Sequence, residues 1–281
     1  MGAVEAIRLC AKAVVPALLP YFVVLRMICA RIQLPPLLTS FLGGYPSGVA
    51  CVVSMYEAGS LDKARAQKLL RVCNNSGPGF FIAVVGSLVL KSSSQGLLLY
   101  LLHVLSAVLC AQLCQPITRQ DVRIYRAKTR RSFAAEFQAA VSSSSLSMLS
   151  VCALVIVFSV LSSLLRVFLP ARCLLLPTGL LELTNGVLQL RGHPNAFVLC
   201  AFFTSWGGLC VHAQAFSIWQ AAGLCVKGYF THKLLHGSLC AFLAMLVQAK
   251  AYPALVIFSF FFVIFSYFLK KWGRKKASYA V

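Results

Sequence analysis

The sequence predicts an all-α polytopic integral membrane protein with two pseudo-symmetric repeats containing broken or re-entrant helices. Three observations predict it. Hydrophobic residues make up 59% of the 281 and mean hydropathy is +0.83, so the bilayer is the solvent. Basic residues gather between the apolar runs, which is the positive-inside pattern. Polar, glycine-rich clusters interrupt the apolar sequence at matching places in the two halves. Backbone that leaves the helix inside a bilayer is tolerated only where protein or a water-filled cavity covers it. Paired interruptions of this kind point to the solute site of a transporter.

At ~20 residues per span there is room for roughly seven or eight spans and no soluble domain beside them. We divide the chain into a first membrane repeat (1–114), a basic cytoplasmic linker (115–132), a second membrane repeat (133–250), and a final transmembrane helix with a basic tail (251–281).

The first apolar helix covers residues 3–31. Glu5, Arg8 and Lys12 share one face of its start, and Pro16 and Pro20 are expected to kink it. No small-residue cleavage site follows a short apolar core, so this segment reads as retained. Residues 37–58 read as two short helical pieces broken at Gly43-Gly44-Tyr45-Pro46-Ser47-Gly48, neither long enough to span alone. Asp62 then caps a short helix with Lys63, Arg65, Lys68 and Arg71 on its wet side and Leu69-Leu70 on the other. Cys73-Asn74-Asn75-Ser76-Gly77-Pro78-Gly79 follows, and Pro78 keeps Gly77 out of the α region. Residues 80–90 are apolar but short, so they span only if the preceding polar cluster lies within the membrane. Residues 97–114 form a plain span.

The second half has the same order. A long helix starts at Phe133, with Glu136, Ala140, Ser143, Ser147 and Ser150 on one face; small residues at this spacing let another helix approach closely. Residues 173–190 carry Pro177, Gly179 and Glu182-Leu183-Thr184-Asn185-Gly186. A second break at Trp206-Gly207-Gly208 precedes Leu209-Cys210-Val211-His212-Ala213-Gln214. Residues 223–237 read as a small polar element, and two apolar spans close the chain.

The net charge of +20 comes from 26 basic and 6 acidic residues. Arg119, Arg123, Arg126, Lys128, Arg130 and Arg131 form one cluster, and a second stands at 270–276. Both read as cytoplasmic, against anionic lipid headgroups. The membrane pattern accounts for the charge, so nucleic acid is not an expected partner. A homo-oligomer is compatible with the sequence. The twelve cysteines are scattered, with no CxxC pair, and read as small packing residues rather than zinc ligands or disulfides. No metal site or cofactor is expected, and a coupling ion, H⁺ or Na⁺, stays open. HExxH, GxSxG, the Walker-type GxxxxGK[ST] and paired carboxylates are all missing from the sequence, so the chain does not read as an enzyme.

The candidate solute-binding residues come from the interruptions. Glu182 sits amid leucines beside Thr184 and Asn185. A buried carboxylate is costly unless paired, protonated or bound to a cation. It reads either as an acceptor for solute or a coupling ion, or as a structural cap on the broken helix. Asn74 and Asn75 at a break can turn both amides to one cavity while Ser76 and Gly77 expose backbone N–H groups, with the next helix N-terminus aimed at an anion. The plain alternative is a helix C-cap and turn. His212 and Gln214 follow Gly207 and Gly208, which permit close backbone approach. His103 reads as structural, and His193, His232 and His236 as loop or interfacial residues.

Taken together, Gly-Gly-Tyr-Pro-Ser-Gly (43–48), Cys-Asn-Asn-Ser-Gly-Pro (73–78), Glu-Leu-Thr-Asn-Gly (182–186) and Gly-Gly-Leu-Cys-Val-His-Ala-Gln (207–214) resemble the YlbJ-type sporulation integral membrane proteins. These carry the Gate, or nucleoside-recognition, domain related to concentrative nucleoside transporters. The resemblance covers nearly the whole chain. It implies a multi-pass protein of the bacterial cell membrane in an endospore former, placed in the outer forespore membrane. It also implies movement of dipicolinic acid into the forespore by alternating access around a midplane site. The matching positions are Asn74, Asn75, Ser76, Glu182, Thr184, Asn185, His212 and Gln214. Cys210 stands where the family usually has Ser and is given no role. The family members tend to be longer. Dipicolinate is a dianion, so helix N-termini, a protonated Glu182, or Arg172 and Arg191 are the candidate counter-charges. Nucleoside or nucleobase transport and a non-transporting sporulation scaffold are the alternatives.

Overall fold

The computed structural model describes residues 2–31, 34–114, 132–260 and 262–263. Every regular element among them is helical. The basic linker at 115–131 and the tail beyond 263 lie outside the described residues.

Helix α1 runs through Ala3–Leu9, a π-helical turn at Cys10–Val14, and Val15–Arg31. The winding widens immediately ahead of Pro16, and Pro20 stays within the helix. The interrupted element that follows is α2 (Pro36–Gly43) and α3 (Ser47–Glu57). Between them Gly44 takes φ +67°, where an L side chain is strained. Helix α4 (Lys63–Val72) starts as the sequence predicts, with the Asp62 carboxylate accepting the Arg65 N–H at 2.8 Å. Its Leu69 and Leu70 are buried.

Helix α5 (Phe80–Leu90) is π-wound and ends at Lys91, whose φ is +57°. The chain then doubles back into α6 (Ser93–Cys114). The two lie backbone to backbone: a Cβ on Gly96 would meet the Gly86 Cα at 2.8 Å. Small residues at a crossing let membrane helices approach this closely.

In the second half, α7 (Phe133–Phe168) begins at Ser132, whose hydroxyl accepts the Ala135 N–H. It packs along α1. The packed face is shifted by one position from the predicted stripe. Ala140, Ser144, Met148, Val151 and Val155 are buried, whereas Ser143 and Ser147 flank that face and Ser150 is exposed. Ser147 still contributes, accepting from Arg26 of α1 at 2.7 Å. The shift follows from side-chain volume, because Met148, Val151 and Val155 bury more apolar surface than the serines beside them.

Helices α8 (Leu175–Leu181) and α9 (Leu183–Leu188) are one element broken at Glu182, which is extended at φ −138° and ψ 116°. Helices α10 (Ala196–Trp206) and α11 (Gly208–Ala221) are broken at Gly207 and Gly208, with φ of +94° and +77°. Helix α12 (Tyr229–Gln248) packs along α10 and α6. It absorbs the segment read from sequence as a polar, interfacial element. His232, Lys233 and His236 are all buried on it.

Among the described residues, four stretches are long and apolar enough to cross a bilayer: Ser93–Leu113, Phe133–Phe168, Ala196–Ala221 and Tyr229–Gln248. Leu18–Ile28 and Phe80–Leu90 are shorter apolar helices. The architecture is all-α and membrane-integral. Its main core joins α5, α6, α9, α10 and α12 around residues such as Phe81, Leu99, Val187, Phe203 and Leu243.

Candidate functional site at the helix breaks

A cavity of about 230 Å³ lies where the interruptions meet. That is space for about eight waters at ~30 Å³ each. It is smaller than the ~300–1,000 Å³ of pockets for drug-sized ligands, so it suits one small ring rather than a long chain. Part of its wall is apolar, formed by Val14, Leu18 and Phe22 of α1 with Val151 and Val155 of α7. The first-half breaks contribute Gly44, Tyr45, Ser76 and Gly77. The second-half breaks contribute Glu182, Leu183, Thr184, Cys210 and Gln214.

The breaks rest on each other through glycine. A Cβ on Gly44 would meet the Gly77 nitrogen at 2.9 Å, and one on Gly208 would meet the Leu183 nitrogen at 3.0 Å. In each half, therefore, one interruption sits directly against the other. Tyr45 ties the halves together: its hydroxyl donates to the Thr204 carbonyl at 3.1 Å. A side chain on Gly207 would crowd that hydroxyl at 2.9 Å.

Glu182 is buried, and both carboxylate oxygens are used. Oε1 accepts the Thr184 N–H at 2.9 Å and Oε2 the Asn185 N–H at 2.7 Å. The first amides of a helix have no partner within it, and apolar surroundings offer none, so the carboxylate closes the start of α9. The capping reading of Glu182 is realised, and the same group still borders the cavity. Gln214 brings a different property. Its Oε1 is buried without a hydrogen-bond partner, so the cavity wall holds a free acceptor.

Not all the predicted residues gather here. Ser76, Gly77, Glu182, Thr184 and Gln214 line the cavity, while Asn74, Asn75, Asn185, Gly207, Gly208 and His212 do not. Asn75 donates to the Val72 carbonyl at 2.7 Å and to Ser40 Oγ at 3.0 Å. It closes the end of α4, which is the cap-and-turn alternative. Asn185 donates to Ser159 Oγ at 2.7 Å. It lies on a separate cavity of about 170 Å³ with Ser162, Arg166, Thr178 and Gln189. Gly207 and Gly208 act through backbone geometry. Arg191 lines the cavity from an exposed position, and Arg172 does not line it.

Asn74 and His212 belong to a buried polar string behind Tyr45. The Asn74 amide donates to Tyr229 Oη. The Tyr229 hydroxyl also bonds His212 Nδ1 at 3.0 Å. The Asn74 backbone carbonyl accepts from Lys233 Nζ at 2.8 Å, and Nζ lies 3.4 Å from His236 Nδ1. His236 Nε2 bonds the His103 carbonyl at 3.1 Å, and His103 Nδ1 lies 2.8 Å from Ser205 Oγ. Sequence reasoning passed over Tyr45, Lys233, His236 and His103 as functional residues. A signal existed: Tyr229, Lys233, His236 and Cys240 recur at steps of four, three and four, which is one helix face. Read as a loop, that face was invisible.

Compared with known proteins, the chain matches no family model, no curated protein and no solved structure.

Proposed function

We propose that the chain is a membrane carrier of one small polar ring solute, moved by alternating access. The observation that carries the reading is that interrupted elements of both halves line one cavity, through Gly44, Tyr45, Ser76, Gly77, Glu182 and Gln214. Broken helices are how transporters place helix ends and free backbone at a solute site. Gly44, Gly207 and Gly208, all at positive φ, are natural hinges for the rearrangement. Two inverted repeats are the proposed origin of the two glycine-mediated break contacts.

Dipicolinic acid is the substrate that the resemblance to the YlbJ-type proteins implies, with movement into the forespore during sporulation. One observation favours the second reading, a nucleoside or nucleobase. The polar part of the wall includes two acceptors, Glu182 and Gln214 Oε1, and these suit hydroxyl or amino donors. No enzymatic role is proposed.

The test is flux of labelled dipicolinate and of labelled uridine into proteoliposomes of the purified protein, with Gln214→Leu as the site variant. Saturable dipicolinate flux that excess uridine leaves unchanged, and that Gln214→Leu reduces, supports the first reading. Saturable uridine flux that Gln214→Leu reduces supports the second. Absence of both from folded protein, with and without H⁺ and Na⁺ gradients, overturns the carrier reading and leaves the scaffold.

A further inference from the structure

Lys233 is 1% exposed, and no carboxylate pairs with it among the described residues. The titratable groups around it are Tyr229, His232, His236 and Cys240 on its own helix, with His103 and Cys110 from α6. The link between α2 and α3 adds Tyr45, and α11 adds His212 through the Tyr229 hydroxyl. Helix α10 contributes Ser205 beside His103, and α4 contributes Asn74 through the link that follows it. None of these groups is an anion in its ordinary state.

The hydrogen bonds fix how a proton can sit here. His236 Nε2 faces a carbonyl, so it must carry a proton. In the neutral ring Nδ1 is then the acceptor, and Lys233 Nζ donates to it. Transfer along this bond breaks one N–H on Nζ and forms one on Nδ1. The ammonium becomes an amine, the imidazole becomes an imidazolium, and the charge of the pair stays +1. Every hydrogen bond survives: Nε2 still donates to His103, the amine still donates to Asn74, and Nδ1–H now donates to Nζ. The pair holds one shared proton with no counter-charge of its own.

One aromatic ring, Tyr45, touches both the pair and the cavity. Nζ stands 5.6 Å from the centroid of Tyr45, and Tyr45 lines the cavity. An anion in the cavity would therefore add a negative charge beside that ring, on a wall that already carries Glu182. We propose that the Lys233–His236 pair is a proton-coupling site: neutral while the cavity is empty, as an amine and an imidazole in the same hydrogen bonds, it takes one proton from solvent and becomes the shared +1 pair when an anionic solute occupies the cavity. This rests on the carrier reading and names its coupling ion as H⁺. It also supplies half of the charge that a dianion needs beside Glu182, because one compensating proton arrives with the solute. For unit charges separated by about 10 Å at an effective dielectric near 20, the coupling is roughly fifteenfold in affinity.

The full-length protein in detergent micelles is titrated with dipicolinate in buffers of different ionisation enthalpy, which counts protons bound per solute. The expected result for the parent chain is a proton uptake that passes through a maximum of about 0.6 per solute as pH is varied, with none for Lys233→Met and, at the acidic end, affinity weaker by roughly fifteenfold in the variant. Dipicolinate binding with no proton uptake, or uptake that persists in Lys233→Met, overturns the proposal. If dipicolinate fails to bind, the substrate reading falls, and the pair is read without solute. Labelled-nitrogen spectra of Lys233 and His236, assigned by loss in Lys233→Met and His236→Gln, are followed with pH. Both nitrogens responding together to a single protonation supports a shared proton. Independent responses, or none, overturn it.

Discussion

Removing the Glu182 side chain tests how the break between α8 and α9 is held. In Glu182→Ala the buried amides of Thr184 and Asn185, bonded at 2.9 and 2.7 Å, lose their acceptors. Each buried donor left unpaired costs about 1–3 kcal/mol, so the gross loss is about 2–6 kcal/mol. Taking a buried carboxylate away returns part of its desolvation cost, and the net expectation is about 3 kcal/mol of destabilisation. Glu182→Gln keeps one acceptor oxygen and orphans one amide, for about 1–3 kcal/mol. The assay is reversible unfolding in mixed micelles, with helicity and tryptophan fluorescence as independent probes. The expected order of stability is parent, then Gln, then Ala. Both variants lying within about 0.5 kcal/mol of the parent, below the scale of a single lost cap, would refute the argument: the start of α9 would then be satisfied by something other than this carboxylate.

Further expectations follow from single contacts. Gly208→Ala places a Cβ 3.0 Å from the Leu183 nitrogen at φ +77°, and should cost about 2–3 kcal/mol. Gly223→Ala, at φ +69° with open space around it, should cost only the backbone term of about 1–2 kcal/mol. Equal losses for the pair, measured by the same unfolding assay, would remove the contact between the second-half breaks. Gly96→Leu must force α6 away from Gly86, and should abolish the monodisperse folded species on size exclusion. Tyr229→Phe orphans the Asn74 amide and His212 Nδ1, for about 2 kcal/mol of lost stability. Asp62→Ala removes an exposed cap on Arg65, and should cost about 1 kcal/mol.

The fold was legible where the sequence pattern depends on local chemistry. Apolar run length gave the long helices, Asp62 gave the start of α4, and the Gly and Pro clusters gave each break. Legibility ended where a residue's role is set by a distant partner. Asn74 and Asn75 are adjacent and alike, yet one reaches Tyr229 and the other closes its own helix. No local pattern separates them. The stripe on α7 was placed one position off, because serines at a regular spacing outweighed the bulkier Met148 and Val155 that decide the packed face. Lys233 was missed because charge was equated with exposure, an expectation that fails wherever a buried amine finds carbonyl and imidazole partners.

The two kinds of wall around the cavity have different freedom to vary over generations. Val14, Leu18, Phe22, Val151 and Val155 contribute only apolar surface, and residues of this class exchange for one another at small cost when volume is kept. The polar part of the wall has no such latitude, since Gly44 and Glu182 are each dictated by backbone. Mutations in α1 and α7 can therefore resize the chamber while the broken helices stay assembled. A lineage carrying this architecture can change the volume of the chamber through these apolar positions without touching the capped and glycine-built breaks.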